Sequence, residues 1–173
     1  MSTTFKQASY GTVRGVSMRD SGCGPSAVAS IVSNLQSSIT PKRVAEWLFD
    51  KGYFSSAGTT RTGITKALNH YGFQCLYFTP EHTGNSEWKE AFDMIKLSRD
   101  HKLWAILLVV GTKNGGKDNL WTNGGHFLAV TDYDPKTGKV YVRDSGSRGR
   151  TGYYDPEALK YDTNAMWVVT ETF

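Results

Sequence analysis

The 173-residue chain is poor in cysteine and proline, has no strong charge excess and contains no long apolar run. Two cysteines, at positions 23 and 75, cannot build a disulfide framework. They also form no CxxC pair of the kind that structural zinc sites use. A chain of this size buries roughly 70% of its unfolded surface, so its core needs no covalent staple. The longest apolar stretch, Trp104–Val110, falls far short of the ~20 residues that cross a bilayer. The opening residues MSTTFKQASYGTVRG carry no apolar signal segment. Hydrophobic residues at 39% and charged residues at 21% exclude a disordered chain. The net charge of +4 and pI of about 9.0 come without a dense Lys/Arg cluster, so no nucleic-acid partner is expected. No metal or other cofactor is expected either. Asp132, Asp134 and Lys136 only superficially echo a calcium loop, and residues 111–117 lack phosphate-loop spacing.

Glycine is plentiful, with 18 residues, and so are aromatics at 13%. Residues 12–21 are polar and read as a loop broken by Gly11 and Gly15. After Gly22-Cys23-Gly24-Pro25, the residues Ala27, Val28, Ile31, Val32 and Leu35 share one face at helical spacing. Pro25 suits the first turn of that helix, so Cys23 is placed at the helix N-terminus. A second helix follows Thr40-Pro41 and ends at Gly52. A third covers about 63–71, with Thr62 as cap and Gly72 just beyond its end. A fourth starts near Ser86. Strands are expected at 73–78, 104–110, 126–133, 139–143 and 166–172, the third and fourth joined by the turn Asp134-Pro135-Lys136-Thr137-Gly138. Helices first and antiparallel strands second is an α+β pattern. A single monomeric domain over 1–173 is expected, with N-terminal helices packed on a C-terminal antiparallel sheet.

Three residues in this layout carry chemistry. A thiolate is the reactive form of cysteine, and a helix N-terminus favours it at Cys23. The Cys23 backbone N–H is a candidate oxyanion donor. A lone cysteine is as often an inert core residue. A thiol nucleophile needs a base, and that base needs orienting. His126 opens one strand of the 126–143 hairpin and Asp144 follows the end of its partner, so both lie at one end of it. Gly22, Gly24 and Gly125 would leave room for a substrate backbone, Trp121 would line the cleft, and Arg148 and Arg150 would bind substrate carboxylates. Cys75 reads as a core residue.

Ser21-Gly22-Cys23-Gly24-Pro25-Ser26 resembles the nucleophile segment of bacterial and phage papain-like cysteine peptidases, in particular the group of bacteriocin double-glycine leader peptidases. Gly124-Gly125-His126-Phe127 is similar to that group's histidine strand, and the segment from Gly138 to Asp144 to the following strand. Tyr10-Gly11 also resembles a dipeptide found ahead of the cysteine. The resemblance runs from about Phe5 to Tyr154. It implies a papain-like fold and a catalytic triad of Cys23, His126 and Asp144. The family usually has Pro after the Asp, where this chain has Ser145. Papain-like enzymes commonly place a Gln oxyanion donor before the cysteine; here Ser17 stands six residues upstream and Gln7 is the upstream Gln, with Asp20 and Ser21 nearer. The expected partner is a peptide, first of all a peptidoglycan stem peptide cut by a phage or bacterial lysin. Leader-peptide processing after Gly-Gly, acyl transfer and a binding module with a dormant triad are the alternatives. Location is open: a phage virion, release to the cell wall or the cytoplasm fits the missing signal segment.

Overall fold

Local chemistry sets most of the element boundaries. The computed structural model describes residues 4–101, 104–110, 121 and 125–172. A 3-10 turn at Gln7–Tyr10 leads into a hairpin of β1 (Thr12–Val13) and β2 (Val16–Ser17). Its turn residues Arg14 and Gly15 sit at φ 51° and 80°, the mirror-image geometry that matches strand twist in two-residue turns. The polar 12–21 segment is therefore ordered rather than a loop. Its Arg-Gly turn is a weaker signal than Asn-Gly or Asp-Gly. A short helix, α1 (Met18–Ser21), is capped by Ser17 and passes through Gly22 into α2 (Cys23–Leu35).

Thr40 caps α3 (Pro41–Asp50) by accepting the Arg43 N–H. A second hairpin, β3 (Phe54–Ser55) and β4 (Gly58–Thr59), precedes α4 (Arg61–His70). The cap of α4 is Thr60, which accepts from the Gly63 N–H at 3.0 Å, and not Thr62. Gly72 ends the helix at φ 94°, and β5 (Phe73–Phe78) follows as expected. Next come α5 (Pro80–Thr83), α6 (Asn85–His101), β6 (Ala105–Val110), β7 (Gly125–Asp134) and β8 (Lys139–Arg143). In the β7–β8 turn, Asp134 accepts from the Lys136 N–H and Gly138 takes φ 74°. A 3-10 turn at Arg148–Arg150, β9 (Gly152–Tyr154), α7 (Pro156–Lys160) and β10 (Thr163–Thr172) complete the chain. α7 has too few residues to show a periodic stripe. Residues 111–125, expected from their glycines and polar residues to form a loop with Thr122 near the cleft, lie outside the described residues apart from Trp121 and Gly125, which opens β7.

The main sheet is antiparallel, in the order β5-β10-β6-β7-β8-β9. The apolar run of β6 is central, which is why it lacks polar alternation. β5, from the helical half, joins the sheet beside the last strand. One face carries α2, α3 and α4: Ala27, Val28 and Ile31 of α2 share a core with Phe127, Ala129, Ile106 and Trp167. On the other face Trp88, Phe92 and Ile95 of α6 share a core with Leu107, Leu128, Val130 and Met166. Each such side chain contributes about 1.5–3 kcal/mol when fully buried.

Gly22 and Gly24 have an internal role rather than the expected one of admitting substrate. A Cβ on Gly22 would lie 2.5 Å from the Met18 carbonyl oxygen, and one on Gly24 would lie 2.3 Å from Thr59 Oγ1 and 2.6 Å from Thr59 Cβ. The glycines let α1 and β4 close onto the first turn of α2. Gly24→Ala should cost about 1–3 kcal/mol, the usual penalty of overpacking. In urea denaturation, Gly24→Ala combined with Thr59→Gly should lose less than the two single losses added. Strict additivity would show that Thr59 does not set the constraint.

Candidate active site

Cys23 is the first residue of α2, at the positive end of the helix dipole, with its side chain half-buried against the α2 core. His126 stands at the start of β7, and Asp144 follows the last residue of β8. Ala129 pairs with Arg143 in the register of this hairpin, so the strand start and its partner's end meet as expected. His126 Nε2 lies 2.8 Å from Asp144 Oδ1, with His126 4% and Asp144 1% exposed. The Cys23 thiol lies near enough to the imidazole to raise its pKa. Since Nε2 serves Asp144, Nδ1 is the nitrogen left for sulfur. His126 thus stands between Asp144, which it contacts directly, and Cys23, whose thiol influences it.

The electrostatics of these residues follow from their partners. Burial pulls the imidazole down, but the hydrogen bonds and charges of Asp144 and Cys23 outweigh it and push His126 up to about 9. Burial pushes the Asp144 carboxyl up, yet His126, the Gly146 N–H and Arg150 outweigh that and hold it below the usual carboxylate range. Asp144 Oδ1 accepts from the Gly146 N–H at 2.8 Å, and Oδ2 lies 2.9 Å from Arg150 Nε. The Arg150 contact is ionic, without an aligned N–H. The Asp144 N–H donates to Thr151 Oγ1 at 2.9 Å.

A cleft of about 380 Å³ opens at Cys23. Asp20 and Ser21 border it on one side, Ser56–Arg61 on another, and Leu108, Gly125 and Phe127 on a third. Ser21 Oγ donates to the Ser56 carbonyl at 2.9 Å and fixes the β3–β4 wall. Gly125 therefore lines the cleft at an exposed position. A larger polar hollow of about 750 Å³ lies by Asp144, between Lys6, Arg143 and Ser147. Cys23 does not border it; the smaller cleft is the one that reaches the thiol.

Several expected roles change. Gln7 does not face the nucleophile. Its Nε2 donates to the Met18 carbonyl at 3.2 Å and the Arg19 carbonyl at 2.9 Å, and its Oε1 accepts from Ser145 Oγ at 2.7 Å. Gln7 is a buried strut between α1 and the loop after Asp144. Ser17 is the cap of α1, its Oγ accepting from the Asp20 N–H, and it does not line the cleft. Trp121 is 2% exposed and packs on Tyr154 within the α6-side core, because its large apolar ring is better satisfied there than at a wet cleft. Arg150 is engaged by Asp144 instead of awaiting a substrate carboxylate. The Arg148 side chain lies outside the described residues. Cys75, half-buried on β5, has its thiol pushed up to about 11 by burial. The hold of Arg150 on Asp144, the Gln7 strut and the β3–β4 wall have no local signal in the sequence beyond the arginine that follows Asp144 in a Gly/Ser loop. Among the described residues, no group of three or more His, Cys, Asp or Glu is placed to hold a metal ion.

The fold is that of a papain-like cysteine peptidase. Residues 4–171 match the model of the Peptidase_C39 like family, and the chain belongs to that family. Among solved structures it is similar to the peptidase domain of Streptococcus ComA, a bifunctional ABC transporter involved in quorum sensing, with TM-score 0.59 and 18% identity over 94% of this chain and 99% of that one. A C39-like peptidase from Bacillus anthracis gives TM-score 0.56 and 12% identity over 89% and 91%. UfSP from C. elegans gives 0.55 and 16% over 99% of this chain and 32% of that one. Among curated proteins, none matches the sequence.

His126 has a folded-state pKa above the unfolded value of about 6.5. Its contribution to stability is therefore complete below about pH 6.5 and is lost as pH rises through about 9. The NMR titration of His126 should show a midpoint near 9, moving down in Asp144→Asn. The stability gap between wild type and Asp144→Asn in urea should narrow across the same window. A wild-type midpoint at the free-imidazole value would contradict the pairing.

Proposed function

We propose that Cys23, His126 and Asp144 hydrolyse peptide bonds in the stem peptides of the bacterial cell wall. The catalytic part of this reading is supported by the His126–Asp144 pair at 2.8 Å, the thiol that raises the imidazole pKa, and the cleft that Cys23 borders. The Cys23 thiolate attacks the scissile carbonyl carbon. The oxyanion meets the N-terminal end of α2, where the Cys23 N–H is the proposed donor. His126 passes its proton to the leaving amine, and a thioester on Cys23 remains. Water, losing a proton to His126, then releases the acid and restores the thiol. Asp144 keeps the imidazole turned so that Nδ1 addresses sulfur throughout.

The wall substrate is supported by the net charge of +4, which favours approach to an acidic polymer. Family membership supports a competing substrate, a leader peptide cut after Gly-Gly. Purified cell walls and synthetic Gly-Gly leader peptides, assayed side by side, separate the two. Release of new amino termini from walls alone supports the lysin reading, and cleavage of the leader alone replaces it.

Cys23→Ala should lower turnover by roughly a thousandfold or more, with an unchanged circular dichroism spectrum. Iodoacetamide should modify Cys23 much faster than Cys75 at neutral pH, because burial pushes the Cys75 thiol up to about 11. Equal, slow modification of both cysteines would favour a dormant site that binds without cleaving.

A further inference from the structure

We propose that Arg150 is a positioning residue, which holds the Asp144 carboxylate, and through it the His126 ring, in line with Cys23. Its effect on turnover rests on the peptidase reading; its effect on Asp144 and His126 does not.

The Asp144 side chain has 0% exposure, so its charge must be met by protein groups. One oxygen, Oδ1, serves both His126 Nε2 and the Gly146 N–H. The other, Oδ2, has Arg150 Nε at 2.9 Å and no aligned hydrogen-bond donor. Contacts to Oδ1 restrain rotation about the Cβ–Cγ bond from one side only. A cation on Oδ2 pins that torsion from the opposite side, and with it the direction in which Oδ1 presents itself to the imidazole. Charge neutralisation and orientation therefore come from the same residue.

Arg150 is itself fixed. It ends the 3-10 turn Arg148–Arg150, its carbonyl accepts from Tyr154 Oη at 2.5 Å, and its side chain is only 24% exposed. Gly146 closes over the cluster. A Cβ there would lie 3.2 Å from Asp144 Oδ1, 3.4 Å from Arg150 Nη2 and 3.4 Å from His126 Cε1. Carboxylate, guanidinium and imidazole thus converge beneath one backbone position that has no side chain to separate them. The titratable and charged groups facing Asp144 are His126, Arg150 and Tyr154, with Cys23 beyond the imidazole. Neighbouring Arg143 directs its guanidinium to Thr131 Oγ1 and Thr4 Oγ1, each at 2.7 Å, and Lys6 borders the same hollow.

Arg150→Gln and Arg150→Lys in the full chain test the assignment. In Arg150→Gln the Asp144 carboxyl, followed by carbon NMR, should titrate higher than in the wild type, since a neighbouring cation is lost. The downfield His126 Nε2–H resonance should weaken through faster exchange, and iodoacetamide modification of Cys23 should slow by roughly tenfold. Arg150→Lys should keep most of the Asp144 titration and recover part of the rate. It also serves as the test if Arg150→Gln does not fold. With a cleaved substrate in hand, kcat should fall at constant KM. An Asp144 titration and a Nε2–H signal unchanged in Arg150→Gln would overturn the assignment. So would a raised KM at constant kcat, which would make Arg150 a substrate-binding residue. Absence of wild-type peptide cleavage would sink the peptidase reading alone, because the measurements on Asp144, His126 and Cys23 need no substrate.

Discussion

The seat of α2 on β7 is the constraint on which the site depends. Cys23 belongs to a helix and His126 to a sheet, so no local geometry brings them together. Their separation is set by how closely the helix approaches the strand, through Ala27, Val28 and Ile31 against Phe127 and Ala129. Close-packed interiors resist small shifts, which makes that separation a property of the whole core. The glycines at 22 and 24 belong to the same constraint. They remove the side chains that would wedge α1 and Thr59 away from the first turn of α2.

The acidic end of the site is held by a different device. The loop after β8 begins at Asp144 and returns to β9, and it is fastened at several points. Ser145 is tied to Gln7 in two ways: the Gln7 N–H donates to its carbonyl at 3.0 Å, and its own hydroxyl donates to the Gln7 amide. Gln7 in turn holds the carbonyls at the start of α1. The helical side and the strand side are therefore linked through one buried amide, away from the reacting atoms. The family's usual Pro after the Asp stiffens a loop by restricting φ. With Ser145 in that place, hydrogen bonds and an ion pair do the fastening instead.

The strongest signals in the sequence were those of local chemistry. Thr40-Pro41, Gly72, the continuous apolar β6 and the Asp134–Gly138 turn each specify their structure within a few residues, and each stands where it was expected. The hairpin argument placed His126 beside Asp144 because antiparallel pairing makes sequence distance into spatial proximity. What stayed hidden involves partners far apart in the chain. Nothing near Gln7 announces Ser145, and nothing near Gly24 announces Thr59. The nearness of Trp121 to His126 in sequence points toward the cleft, yet its large apolar ring is buried in the α6-side core. The β1–β2 hairpin and α7 were missed because elements this short carry no periodicity to read.

The hairpin that joins His126 to Asp144 spans 18 positions, whereas Cys23 must find His126 from more than a hundred positions away. Contacts of such unequal span form at different costs in chain entropy. The base and its orienting acid can come together with the hairpin, but the sulfur gains its partner only when the helical layer has docked on the sheet. A chain still emerging, or one partly unfolded, therefore carries an ordinary cysteine without an imidazole beside it. Under the proposed mechanism, reactivity is switched on by completion of the fold, and an unfinished molecule is spared that chemistry.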